Sequence, residues 1–371
     1  WSTACAKISS YLTASKNMAG IISSDYSVYL IGLESAYGTD KVGADLVANA
    51  DLTYLAINNG GDIVPVPVDF QPDRARASQD GVASTFIEDM SEINLPVPMK
   101  AGVGTTNTPN YGPLLKAAGF VESVGASSTT YTLGTSDASS VSVWKYQRNL
   151  TNANWRLKRA LGGVLNMALS SAPGEEPVLT FAGMGANYAD NTTDRAYFDS
   201  NGEPALDASG GAITYTGAAT RDSAERLLCV GATITYNSAT VPTGSVSLDA
   251  AMAIAAIKTQ NADPLSVRIT RSRAGVSPAN GSVGIETTDD AAAYDDIRAA
   301  AAANEIATLS LLYQGATRQV TIASNIQFVG RPSERESSGS MGFDGNFIVV
   351  GDFASHPFGD NALTLTYARI A

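Results

Sequence analysis

Residues 110–120 read NYGPLLKAAGF, and residues 287–306 read TTDDAAAYDDIRAAAAANEI. Both carry apolar residues at spacings of three and four: Leu114, Leu115, Ala118 and Phe120 in the first, and Tyr294, Ile297, Ala300 and Ala301 in the second. That spacing predicts a short helix with one packed face in each place. Pro113 near the start and Gly119 near the end hold the first to two or three turns. Each helix stands among stretches with strand-like alternation, and the order of those stretches organises the rest of the chain.

Ahead of the first helix, ADLTYLAINNGGDIVPVPVDF (50–70) has two apolar segments around a Gly turn, and FIEDMSEINLPVPM (86–99) alternates like a strand. Ahead of the second, CVGATITYNSATVPTGSVSLD (229–249) takes the corresponding place, followed by LSVRITRSR (265–273) or SVGIETT (282–288). After each helix come three strand-like runs. They are VSVWKYQR (141–148), WRLKRALGGVLNMALSS (155–171) and PVLTFAGMG (177–185), against ATLSLLYQ (307–314), RQVTIASNIQFVGR (318–331) and GNFIVVGDF (345–353). Loops APGEE (172–176) and PSERESSGSMGFD (332–344) close matching hairpins, and GVGTTN (102–107) and GMGANY (183–188) read as hairpin turns. The expected plan is an N-terminal arm and first strand at 1–42, a domain at 43–186, a polar linker or surface insertion at 187–224, and a repeat of the domain at 225–371. A further Ala-rich helix is expected at DAAMAIAAIKTQ (249–260).

Composition limits the chemistry. The chain has 371 residues, enough for two or three domains, with 16% charged residues and a net charge of −12 from 36 acidic and 24 basic side chains. That sign disfavours a protein whose task is to grip nucleic acid. No run of 18 apolar residues is present, and WSTACAKISSYL is a poor signal peptide. Cys5 and Cys229 are too few and too far apart for a disulfide framework or a zinc site. The single histidine, His356, rules out a His-based triad, and neither GK nor GxSxG occurs. The acidic pairs Glu175–Glu176, Asp289–Asp290 and Asp295–Asp296 read as a solvated loop and a helix start. No enzyme, cofactor or metal is expected.

The phrase YLIGLESAYGTD (29–40), the GPLLKAAGF phrase (112–120) and the strand, helix, paired-strand order resemble the major tail tube proteins of long-tailed bacteriophages. The likeness runs through most of 28–185, and the second half is similar by order of elements rather than by motif. The resemblance implies a mainly β, α+β fold: tandem tail-tube β-sandwich or barrel domains flanked by short helices, whose inner sheets form a continuous β-barrel on ring assembly. It implies a virion tail protein, made in the host cytoplasm, that stacks rings into the conduit for genome delivery. Its partners would be copies of itself, a tape-measure protein, a tail terminator and a distal tail protein, with double-stranded DNA passing without specific binding and no membrane partner. Two tube domains per chain imply trimeric rings with pseudo-sixfold symmetry. A decorating second half would imply hexameric rings instead.

Within that expectation, the long loop 69–84 is the candidate contact between stacked rings, carried by Phe70, Asp73, Arg74, Arg76 and Asp80. Leu114, Leu115, Phe120, Tyr294 and Ile297 are the candidate residues that pack the helices on their domains. Residues 1–25 and the tail after 360 are candidate arms to a neighbour. The competing reading is a carbohydrate-binding or adhesin-like β module, which the Ser, Thr and Gly content also suits. Only three Trp, at 1, 144 and 155, weigh against a sugar platform.

Overall fold

The computed structural model describes residues 22–48, 53–58, 60–70, 85–134, 139–149, 155–191, 224–241, 243–258, 267–272, 278–286, 291–337, 340–351 and 363–370. The first half comprises β1 (Ile22–Leu33), α1 (Lys41–Ala48), β2 (Thr53–Leu55), β3 (Asp62–Phe70), β4 (Thr85–Pro98), α2 (Gly112–Ala117), β5 (Phe120–Val124), β6 (Ser128–Leu133), β7 (Val141–Asn149), β8 (Trp155–Ser171), β9 (Val178–Gly185) and β10 (Asn187–Asn191). The second comprises β11 (Thr233–Tyr236), β12 (Ala239–Thr240), β13 (Thr243–Asp249), β14 (Ala253–Lys258), β15 (Val267–Ser272), β16 (Asn280–Glu286), α3 (Ala291–Ala302), β17 (Ile306–Gln314), β18 (Arg318–Phe328), β19 (Ser333–Ser337), β20 (Ser340–Val349) and β21 (Leu363–Arg369). The protein is mainly β. Apart from the β14–β15 hairpin, the strands form one connected antiparallel network that does not close into a barrel.

The two halves follow the same path of pairing. In the first, neighbours run β2–β1–β7–β8–β9–β4–β3, with β10 on the other side of β8. In the second they run β12–β11–β17–β18–β20–β16–β13, with β21 on the other side of β18. The long strand β8 bends at Gly162 and Gly163, so that its first part pairs with β7 and β10 and its second with β9. In the second half β18 and β19 divide that work, both pairing with β20.

Core-facing residues align the halves. The row Ile63–Ile93–Gly183–Leu165 crosses β3, β4, β9 and β8, and Leu248–Gly281–Phe347–Phe328 crosses β13, β16, β20 and the end of β18. The bulk is redistributed along the row. A Cβ on Gly281 would lie 2.5 Å from the Phe347 ring, so the bare backbone makes room for the aromatic that replaces Gly183. Tyr29, Ile31, Val143 and Ala160 pack against Ile93, Leu95, Met167 and Phe181 in the same core that holds Leu309, Leu311, Ile322, Val283 and Ile285.

Several expectations need correction. Residues 249–258 do not form a helix, and 259–260 lie outside the described residues. Ala251 turns the chain at φ 51°, its amide bonded to Asp249 Oδ1, and 253–258 pair with 267–272 as a hairpin. Helix propensity is a weak prior, and here cross-strand pairing and the packing of Ile254, Ala256 and Ile269 against Met90, Val164 and Tyr37 override it. GMGANY is not a hairpin turn, because the chain passes through Gly185 and Ala186 into β10 on the same side of β8. Residues 187–191, read as the start of a linker, therefore continue the first sheet. PSERESSGSMGFD is largely β19 and the start of β20 rather than loop. β5 and β6 intervene between the first helix and VSVWKYQR, and α1 was not anticipated. The tail after 360 is no arm: Leu363, Leu365 and Tyr367 alternate into the core, and β21 is held between β18 and β6.

Candidate functional site

Two seams join the halves. At one, β21 pairs with β6 from Thr364↔Thr132 to Ala368↔Ser128. At the other, β13 adds to the second part of β8, with Val246↔Ser171, Ser247↔Ser170, Leu248↔Leu169 and Asp249↔Ala168. The Ala250 amide donates to the Met167 carbonyl at 2.9 Å, and Asn166 Nδ2 donates to Asp249 Oδ1 at 2.7 Å. This seam makes one continuous ladder of eight strands, β3–β4–β9–β8–β13–β16–β20–β19. It consists of two equivalent four-stranded units placed edge to edge. Its outer edges, on β3 and β19, pair with no other strand among the described residues.

One face of this ladder is packed on the core. On the other, Met90, Val164 and Met184 are packed by the β14–β15 hairpin, which carries Lys258, Arg268 and Arg271, while Glu92, Asn94, Ala182, Ser247, Asn280, Asp344 and Asn346 are exposed. Strands β3, β4, β9, β13, β16 and β20, and the second part of β8 (164–171), contain no Lys or Arg. They contain Asp62, Asp69, Glu88, Asp89, Glu92, Asp249, Glu286 and Asp344. The eighth strand, β19, carries Arg335, so the ladder holds few of the chain's 24 cations and presents a weakly acidic, small-residue face.

The β3 edge holds an ionic cluster of two buried lysines and a partly exposed carboxylate. Lys145 on β7 and Lys158 on β8 point from the mouth of the first core toward Asp62, at 2.9 Å and 3.0 Å from Oδ1. Lys145 also donates to the Gly61 carbonyl at 3.0 Å and lies 5.3 Å over the Tyr29 ring. Asp62 Oδ1 accepts the Ile63 amide at 2.8 Å, and Lys158 donates to the Ile63 carbonyl at 3.3 Å. In an antiparallel strand the amide and carbonyl of one residue point to the same edge. Ile63 thus faces away from β4, and so do Pro65 and Pro67, which have no amide to offer. Burial raises the Asp62 pKa, but hydrogen bonds from Lys145, Lys158 and the Ile63 amide outweigh it and hold the carboxyl below its usual range. Burial is also the main cause that depresses Lys145, opposed by Asp62 and reinforced by the charge of Lys158. In the second half the positions of the two lysines are occupied by Leu311 and Ile322, paired with each other in the core as Lys145 pairs with Lys158.

Of the sequence-predicted residues, Leu114, Leu115, Phe120 and Ile297 are buried where they were expected to pack. Gly119 closes α2 at φ 93°, and Arg271 from the β14–β15 hairpin donates to the Lys116 and Ala117 carbonyls, capping the helix end. Tyr294 lies on α3, and its side chain is outside the description. Phe70 ends β3, while Asp73, Arg74, Arg76 and Asp80, with His356, fall outside the described residues. The equivalent connection in the second half, between β13 and β16, is the β14–β15 hairpin. Sequence reading missed the Asp62 cluster, although two lysines at alternating, otherwise apolar positions, 145 and 158, were a usable signal.

Among the described residues no three His, Cys, Asp or Glu side chains converge on a common point. No described helix is long and apolar enough to cross a membrane. No protein-family model and no curated protein sequence matches the chain.

Proposed function

We propose that this chain is a structural subunit that assembles with copies of itself into stacked rings, forming the tail tube of a long-tailed bacteriophage. The observation that carries this reading is the eight-stranded ladder built of two equivalent units joined edge to edge. A unit that adds head to tail to its own duplicate has a heterologous contact, and repetition of such a contact closes a ring when the rotation allows. Closure would also remove the exposed edges that an open sheet otherwise leaves available for aggregation. Three chains of two units make a pseudo-sixfold ring whose inner sheets join as one barrel. A six-chain ring is the alternative stoichiometry.

The scarcity of cations in the ladder, where seven of eight strands, β8 by its second part, carry no Lys or Arg, supports the same reading. Lining a lumen, such a face would offer phosphates little counter-charge, so double-stranded DNA would pass without being held. A tape-measure protein inside the tube, a terminator at the head end and a distal protein at the tip follow from the resemblance as proposed partners. End-on electron microscopy of the purified protein at rising concentration, with mass per ring, tests the proposal. Hollow rings or tubes of three chains per ring are expected, and solid or sheet-like aggregates without a lumen would overturn it.

A further inference from the structure

Resting on the ring reading, we infer that the joint between chains is the addition of β19 of one chain to β3 of a second copy, with Glu334 supplying a counter-charge to the buried Lys145 and Lys158 beside Asp62. The register follows from the seam already present within each chain. There, Leu248 of β13 lies opposite Leu169 of β8. Ile63 is the counterpart of Leu248 through the aligned core rows. Leu169 has its own counterpart in Glu334: Leu169 pairs with Leu179 and that with Val97, as Glu334 pairs with Phe343 and that with Ile285. The same operation applied once more sets Ile63 opposite Glu334, and Val64 opposite Ser333.

Chemistry at the two edges agrees with this register. Among the described side chains, the β3 edge carries two buried lysines against one carboxylate, Asp62. The residue that the register brings beside it is an exposed glutamate. Where the internal seam matches leucine with leucine, the joint between chains matches an acid with a basic cluster. In the free chain, Asp62 and Lys158 occupy the amide and carbonyl of Ile63, the two groups an incoming strand needs. They cap the edge until a second copy displaces them. Pro65 stands where Ala250 donates to Met167 at the internal seam, so the ladder cannot extend past Val64. The joint is short, fixed in register and held by charge, whereas the internal seam has Leu248 against Leu169 on the core side and lies within one chain.

The test uses the full chain with Cys5→Ser and Cys229→Ser, carrying Val64→Cys and Ser333→Cys, both at exposed positions. Mild oxidation at assembling concentrations is expected to give disulfide-linked oligomers that end at the ring size, while either cysteine alone gives none of higher order. Glu334→Lys, with unchanged circular dichroism and thermal midpoint, is expected to raise the concentration needed for assembly about tenfold or more, and added NaCl is expected to raise it for the parent chain. Rings or tubes that form without the 64–333 cross-link, or that form as readily with Glu334→Lys, overturn the joint and leave the tube reading standing. A chain that forms neither rings nor cross-links at any concentration overturns both.

Discussion

Asp62 shows how one side chain sets the condition of an edge. Its carboxyl is held below the usual range in the fold, so it contributes stability above its unfolded pKa of about 4, lost as pH falls through the folded value. Urea unfolding at pH 3 and pH 6 is expected to show a larger loss for the wild type than for Asp62→Asn, whose amide does not titrate. A second polar chain runs through the core, where Tyr367 donates to the Tyr111 hydroxyl at 3.1 Å and Tyr111 donates to the Lys100 carbonyl at 2.9 Å. Tyr367→Phe removes one bond and costs about 1 kcal/mol. Tyr111→Phe removes two and strands the buried Tyr367 hydroxyl, costing about 2–3 kcal/mol, which denaturant titration resolves. Leu114, Leu115, Phe120 and Ile297 were legible at this scale because spacing alone marks them. The tyrosine chain was not, since its members lie as far as 256 residues apart.

The β14–β15 hairpin is the element for which local and tertiary preferences disagree. AMAIAAIK has the composition of a helix, yet its neighbour VRITRS offers a strand partner, and the first half offers an apolar surface at Met90, Val164 and Tyr37. Burial of one aliphatic side chain there contributes about 2 kcal/mol, more than the propensity difference over so short a segment. Ile269→Asp is expected to release the hairpin without unfolding the sheet. Hydrogen exchange at 253–272 should then accelerate while β8 and β9 stay protected, and a global loss of protection would show that the hairpin is part of the core. β17 and β18, which follow α3, were readable because each has a clean period of two. β21 was not, because LTLTYAR near the chain end looks like a tail until β18 and β6 are seen on either side of it.

At the scale of the whole molecule, the absence of Lys and Arg from seven of the eight ladder strands is a property that only assembly would put to use. In tubes formed under the proposed function, Ser282→Lys is expected to retain short double-stranded DNA in a salt-dependent way that the wild type lacks, measured by co-sedimentation at low and high NaCl. Equal DNA retention by both would show that this face does not line the lumen. The acidic balance is visible in the composition, but its direction is not, because strand order decides which residues share a face.

The sequence by itself determined the alternation, the two helices that punctuate it, the parallel order of elements in the two halves and the exclusion of cations from particular strands. All of these are local, carried by residues a few positions apart. The tertiary structure alone decided that β13 adds to β8, that the ladder runs unbroken through both halves, and that Asp62, Lys145 and Lys158 meet at its edge. These depend on pairings between strands distant in sequence, where period-two patterns are interchangeable and only mutual packing of the whole set chooses among partners.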